Sequence, residues 1–574
     1  MDKYNSSAEA TAEPAAGSAV GVGVAVTATA AAVSGIVATS GSGISLGSTL
    51  EQFKLGVGVS GGPQALLTPV QASRFLAQAT CGATRSEIDR VTRIGVDAWL
   101  AGQFAMPRSQ SHWDWLKSRN VEADPDHSRN GRGRRFWDAS IWRQLIISPD
   151  QLRQRVAMAL LDTMVVGLDG LTERWPQFAM AAYVDLLLDH AFGNFRDLLG
   201  AITTSSAMAQ FLTYLSSSKE DAEGTMPDEN YARELMQLFT IGLYSLQEGG
   251  QVRTPSGDAA TTFTQADVSQ LARVFTGLRL SSYDFTTPNM HRKPLVIDPQ
   301  QNETGSSYIL RNTISGGGMR AVDAALDVLF QHQNLPLFFA RSMIRRLVTS
   351  NPSDSYIARV AGAFVNDGSG QRGDMKAVIR AVLTDPEARS DGALAAPHTG
   401  KVRDPVQRFT NWARAFNCTS EGGDWDVGDL SSPVTSLGQS PGRAASVFNF
   451  FRPGFSPPQS ELSRRGLVAP ELQIADEQSV IAYVNFMAST LRKGLPGSDL
   501  NADYSWILPL GGDAGALVNE VNLVLAAGQL PPEGVRLIVQ AVDSIDADDE
   551  RSRLRRVWTA VLLTMASPDY LVLN

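Results

Sequence analysis

The chain has 574 residues, 43% hydrophobic and 19% charged, a balance that excludes disorder over most of its length and leaves ample apolar material for a core. Fifty basic residues against 59 acidic ones give a formal charge of −9, which argues against a surface built to neutralise nucleic-acid phosphates. Two cysteines, Cys81 and Cys418, exclude a disulfide scaffold and a cysteine-rich zinc site while allowing one long-range disulfide, and no apolar run gives a confident membrane span.

Residues 1–65 read as a low-complexity leader outside the folded body. No charge falls between Glu13 and Glu51, and the stretch 19–38 is a weakly hydrophobic run of Ala, Val, Gly and Thr. A secretory signal needs a positively charged start, whereas Met1 to Pro14 sets Lys3 against Asp2, Glu9 and Glu13. A leader without its own fold, an export signal with a misassigned start and a membrane anchor remain the alternatives.

From 66 to 574 the pattern is that of a single all-α domain, a large irregular helical bundle. Ser148-Pro149-Asp150-Gln151 reads as a capping box opening a helix that runs to Gly167. Thr264 caps a helix with Val268, Leu271, Ala272 and Phe275 on one face, stopped by Gly277. The same spacing recurs in Val322/Ala325/Leu326/Leu329, Ile357/Val360/Ala361/Phe364 and Val406/Phe409/Ala413/Phe416, with proline-containing breaks between them. Three further helices are expected between Asp513 and the C-terminus. Two stretches, 278–318 and 419–470, are too rich in Gly, Ser, Pro and Asp for this pattern and too long for plain connectors, so they are expected to be ordered loops with room for short hairpins. There is no fixed-period repeat, and no GxGxxG, Walker A, GxSxG, HExxH or paired CxxC sequence.

The densest polar helix lies at 227–243, PDENYARELMQLFTIGL. Tyr231, Leu235, Leu238 and Phe239 form its buried stripe, Asn230 and Glu234 share a second face, and Glu229 and Arg233 are spaced to pair. Glu234, joined by Glu229 and by Glu303 from a loop, has the chemistry of a carboxylate base or an oxygen ligand for a hard cation. The structural alternative is an ion-pair network of Glu229, Arg233 and Glu234 that fixes helix packing.

Six of the ten tryptophans lie between 99 and 175, beside the basic stretch 129–135. Such a region suits packing, with the arginines in a solvated loop, or else stacking against sugars, bases or anions. Arg452 sits in a proline-pinned turn, RPGFSPP, at 452–458.

Several segments, SRFLAQATCGATRSEID (73–89), QLRQRVAMALLDTMVV (151–166), NFRDLLGAITTSSAMAQFLTYLSSSKED (194–221), PDENYARELMQLFTIGL (227–243) and VFNFFRPGFSPP (447–458), together with TGL at 276–278, resemble the bacterial DUF1800 family. The resemblance covers about residues 70–574. It implies a largely helical protein of uncharacterised activity, a periplasmic, envelope or secreted setting, and a partner of the DUF1501 type, which looks like the alkaline-phosphatase/sulfatase group. The family's recognisable polar positions fall on Asp228, Glu229, Asn230, Arg233, Glu234 and Arg452, with no established catalytic role. Relatives commonly carry His-Glu/Asp-Thr-Gly-x-Lys where this chain reads Asn302-Glu303-Thr304-Gly305-Ser306-Ser307, so the histidine and lysine are missing here.

The leading expectation is therefore an envelope-associated or secreted binding or assembly protein, in which Asp228, Asn230, Arg233 and Arg452 contribute to a partner surface. The alternative is a hydrolase or metal-assisted enzyme using Glu234, Glu229 and Glu303. A carbohydrate-binding role for the tryptophan region is a third.

Overall fold

Helices begin where side chains can satisfy the amide groups that a first turn leaves unpaired. In the computed structural model, which describes residues 67–574 apart from 129, 130, 248–259, 395 and 397, Thr68 caps Pro69–Ala79 and Thr264 caps Gln265–Val274, both as reciprocal capping boxes. Asp385 and Asp404 cap helices that each carry proline in the first turn. The capping box expected at 148–151 does not form. Asp150 precedes Gln151–Leu161 without a side-chain cap bond, and its carboxylate instead accepts from Ser109. That helix ends at Leu161, short of Gly167, and Tyr183 donates to the released carbonyl of Met164.

The fold is predominantly helical, with short two-stranded sheets. Pro176–His190 is apolar around most of its circumference and is accordingly buried among its neighbours. Its Asp185 accepts from the amides of His112 (2.9 Å) and Trp113 (3.0 Å), capping the His112–Ser118 helix from outside. One continuous apolar core runs from Ala72 to Tyr570, and the described residues all fall within one compact unit, Gly61–Asn574. The expected stripes at 322–329, 357–364 and 406–416 are buried in it. The leader, export signal or anchor expected at 1–65 lies outside the described residues. No described helix is long and apolar enough to cross a membrane.

The C-terminal helices Ala514–Ala526, Pro532–Asp543 and Glu550–Ala566 pack together, and Ser73 near the start of the body donates to Leu523 O at 2.7 Å. The chain then ends in a strand, Val572–Leu573, paired antiparallel with Lys401–Val402. The first long loop holds two antiparallel pairs, Leu278–Arg279 with Val296–Ile297 and Ser307–Ile309 with Asn312–Ile314.

The second loop is held by the tryptophan region. Arg443 makes a two-pronged pair with Asp138, 2.7 and 3.0 Å, at a carboxylate with no solvent exposure. Trp137 and Trp142 donate to Pro441 O and Gly428 O. All six clustered tryptophans are buried, each ring contributing roughly 2–3 kcal/mol through apolar burial. The part of the basic stretch from Gly131 onward belongs to the Gly131–Ile147 helix rather than to a loop, and Arg134 and Arg135 pair with Asp169 and Asp426. Cys81 and Cys418 are both free and buried, so the long-range disulfide is not formed.

Candidate functional site

The 227–243 segment folds as a short α turn, Asn230–Glu234, that widens into a π-helical turn, Leu235–Thr240. Its first turn is fixed by Tyr231, which stacks on Tyr214 at 4.2 Å and shares a 2.7 Å hydrogen bond with Thr203. The widened turn is closed by Ile241 N and Gly242 N, which both donate to Met236 O at 3.1 and 2.9 Å. Such π turns recur at functional sites because the extra residue re-aims side chains. Here Tyr231, Leu235, Met236 and Phe239 are among the buried positions, while Leu238, expected in the core stripe, is partly exposed.

The expected carboxylates all have defined surroundings. Glu229 pairs with Arg233 at 2.9 Å and accepts from Gln265 (2.7 Å) and Ser269 (2.5 Å). Glu303 pairs with Arg273 at 3.2 Å and accepts from Gly305 N at 2.8 Å, which together hold its carboxyl below the ordinary value, the amide bond having the larger effect. Gln265, Ser269 and Arg273 follow one another at four-residue spacing, so Glu229 and Glu303 are brought to one stripe of the same helix, its consecutive contacts about 6 Å apart along the axis. Asp228 accepts from Thr213 Oγ1 and from Asn230 N, both at 2.8 Å, and Asn230 Nδ2 donates to Thr213 at 3.4 Å.

Glu234 differs from these. It is 8% exposed, its Oε2 has no hydrogen-bond partner among the described residues, and burial raises the pKa of its carboxyl against the opposing pull of Arg233. It is absent from the Glu229–Arg233–Gln265–Ser269 network, so the buried three-residue network expected from sequence is reduced to a partly exposed pair. Arg452 lies apart from the other expected residues, with its guanidinium 5.5 Å from the Phe448 ring and its amide donating to Gln473 at 2.7 Å.

A cleft of about 200 Å³ is where separate segments meet. The π turn supplies Gln237 and Leu238, the end of the 151–166 segment supplies Asp162 and Thr163, and the 447–458 segment supplies Phe448. The opposite wall is the Leu335–Leu347 helix, from which Arg341, Arg345 and Arg346 enter. Arg346 lies 3.7 Å from Asp162 Oδ2, donates to Asp162 O at 2.9 Å and covers the Phe451 ring at 5.4 Å. Asn449 donates to the other oxygen of Asp162 and so ties the loop to the cleft floor. Burial pushes the Asp162 carboxyl up, with Arg346 pulling it back. Arg341, Arg345 and Arg346 thus line one cleft together with Asp162, in a chain whose formal charge is −9. Planar guanidiniums bind oxyanions through paired hydrogen bonds, which defines the chemistry this cleft offers.

None of these three arginines is among the residues expected from sequence. The available signal was that RSMIRR at 341–346 lies in a stretch with no acidic residue between Asp327 and Asp354, so their partners had to come from elsewhere in the fold.

These features define a large helical protein with an arginine-walled cleft formed by distant segments. The chain belongs to the family described as Protein of unknown function (DUF1800), which it matches over residues 74–572. No curated protein and no solved structure matches it significantly.

Proposed function

We propose that the protein is a binding or assembly component of the bacterial envelope or secreted space, that it works with a protein partner, and that the arginine-walled cleft is its binding site. The observation that supports this reading is the convergence of the 151–166, 227–243 and 447–458 segments on one cleft with Arg341, Arg345 and Arg346. A partner of the phosphatase/sulfatase-like DUF1501 type fits the setting implied by the family resemblance. The test is affinity purification of the tagged full-length chain from its native host, with mass spectrometry of co-purifying proteins and of the mature N-terminus. A partner that is retained by the wild type and lost with Phe448→Ala, together with a trimmed N-terminus, is the expected result. Recovery of the uncleaved chain alone overturns the proposal.

A second reading is favoured by the unpartnered oxygen of Glu234. A buried carboxyl with a raised pKa can serve as a general acid, with Glu229 and Glu303 as further carboxylates in a hydrolytic or metal-assisted reaction. It requires Glu234→Gln to remove turnover or a bound cation while leaving the folded structure intact.

A further inference from the structure

Resting on the binding reading above, we infer that the cleft between the π turn and the Leu335–Leu347 helix binds a small organic oxyanion, a carboxylate or phosphate on a short apolar group, with Arg345 as its principal cation. The argument begins with how the three arginines differ. Arg346 already has Asp162 as a counter-ion, a carbonyl to donate to and an aromatic ring to cover. Its own carbonyl accepts from Arg155 at 2.9 Å and Lys401 at 3.3 Å, so it is built into the protein. Arg345 has none of these. Among the described residues no carboxylate pairs with it, its Nε is buried without a hydrogen-bond partner, and the charged groups that act on it are Arg341 and Arg346, both of like sign. Burial and that repulsion push its pKa down to about 10, which leaves it charged at neutral pH.

An unpaired guanidinium held beside two others costs stability, and an external anion bound there offsets that cost. Size and lining narrow the choice of anion. A space of about 200 Å³ is smaller than a typical cofactor pocket. Leu238, Phe338, Val447 and Phe448 add apolar lining beside the guanidiniums, so a bare inorganic ion leaves that lining without a partner. An oxyanion on a short hydrocarbon or aromatic group satisfies both. The group can belong to a free small molecule or to the end of a partner chain, since the recognition chemistry is the same.

The test is calorimetric titration of the full-length protein with phenyl phosphate, hexanoate, inorganic phosphate and acetate, paired with thermal melts. Saturable binding of phenyl phosphate or hexanoate is expected, about tenfold or more tighter than inorganic phosphate or acetate, and weakened by added salt. The tighter of the two organic probes identifies the head group as phosphate or carboxylate. Arg345→Met is expected to weaken binding about tenfold or more and to raise the melting midpoint of the ligand-free protein, because a charge repelled by its two neighbours is removed. Arg345→Lys, which keeps the charge and loses the planar fork, is expected to bind with intermediate affinity, and it carries the test if the methionine variant does not fold.

Absence of saturable binding by both organic probes overturns the inference, as does unchanged affinity in these variants or a lowered ligand-free midpoint in Arg345→Met. The two proposals fail separately. A partner still captured through the cleft while neither probe binds removes the anion inference alone, and probe binding by a chain that captures no partner removes the partnership alone.

Discussion

Gly242 lies face to face with Phe338, so close that a Cβ on the glycine would come within 2.5 Å of the ring's Cδ2. The glycine has φ +70, a conformation that side chains disfavour, and it closes the π turn whose Gln237 and Leu238 line the cleft. Gly242→Ala is expected to destabilise the protein by about 1–3 kcal/mol through backbone strain and overpacking. It should also displace Phe338 from the cleft wall. Urea unfolding checks the first effect, and weakened phenyl phosphate or hexanoate binding checks the second.

The Arg443–Asp138 pair fastens the second long loop to the Gly131–Ile147 helix. Arg443→Met leaves Asp138 fully buried without its closest cation, and a cost of about 3–5 kcal/mol is expected. The double variant Arg443→Met, Asp138→Leu removes both charges and should recover much of that loss. A double-mutant cycle of unfolding midpoints measures the coupling, and additive losses would show that the pair does not hold the loop.

Glu234 gives a pH test with a defined sign. Burial raises its folded pKa, so the folded state binds the proton more tightly than the unfolded chain and stability is lost as pH rises through the folded value. Glutamine mimics the protonated form. Glu234→Gln is therefore expected to melt higher than wild type at pH 8 and to match it below pH 4, as read from melts across that range. A lower midpoint at pH 8 would mean that the ionised carboxylate has a stabilising partner.

The thiols are expected to be inert in the folded protein. Burial pushes Cys81 up to about 11 and Cys418 further still, and the thiolate is the reactive form. A chromogenic disulfide reagent at pH 8 should titrate neither cysteine in the native chain and both in guanidinium chloride. Early reaction of one thiol would reveal local opening around it.

Local sequence determined the helices, because period and capping act over a few residues. Thr264 caps its helix as expected, with Asp267 closing a reciprocal box, and Val268, Leu271 and Ala272 are buried as their spacing required. The Glu229–Arg233 pair was equally legible, both partners lying one helical turn apart. The composition of 278–318 pointed to an ordered loop, and two short strand pairs occupy it.

Only the tertiary structure decided which of these segments meet. The four-residue rule placed Leu238 in the core, but the wider turn at Leu235–Thr240 rotates it into the cleft. Ser148-Pro149-Asp150-Gln151 had the spacing of a capping box, yet Asp150 is engaged by Ser109, about forty residues away. Most of all, RSMIRR at 341–346 does not say which arginine is compensated. Arg346 finds Asp162 across 184 positions, and Arg345 finds no carboxylate among the described residues. Periodicity is a property of neighbours along the chain, whereas charge compensation depends on what folding brings alongside, and that is fixed only when the whole core has packed.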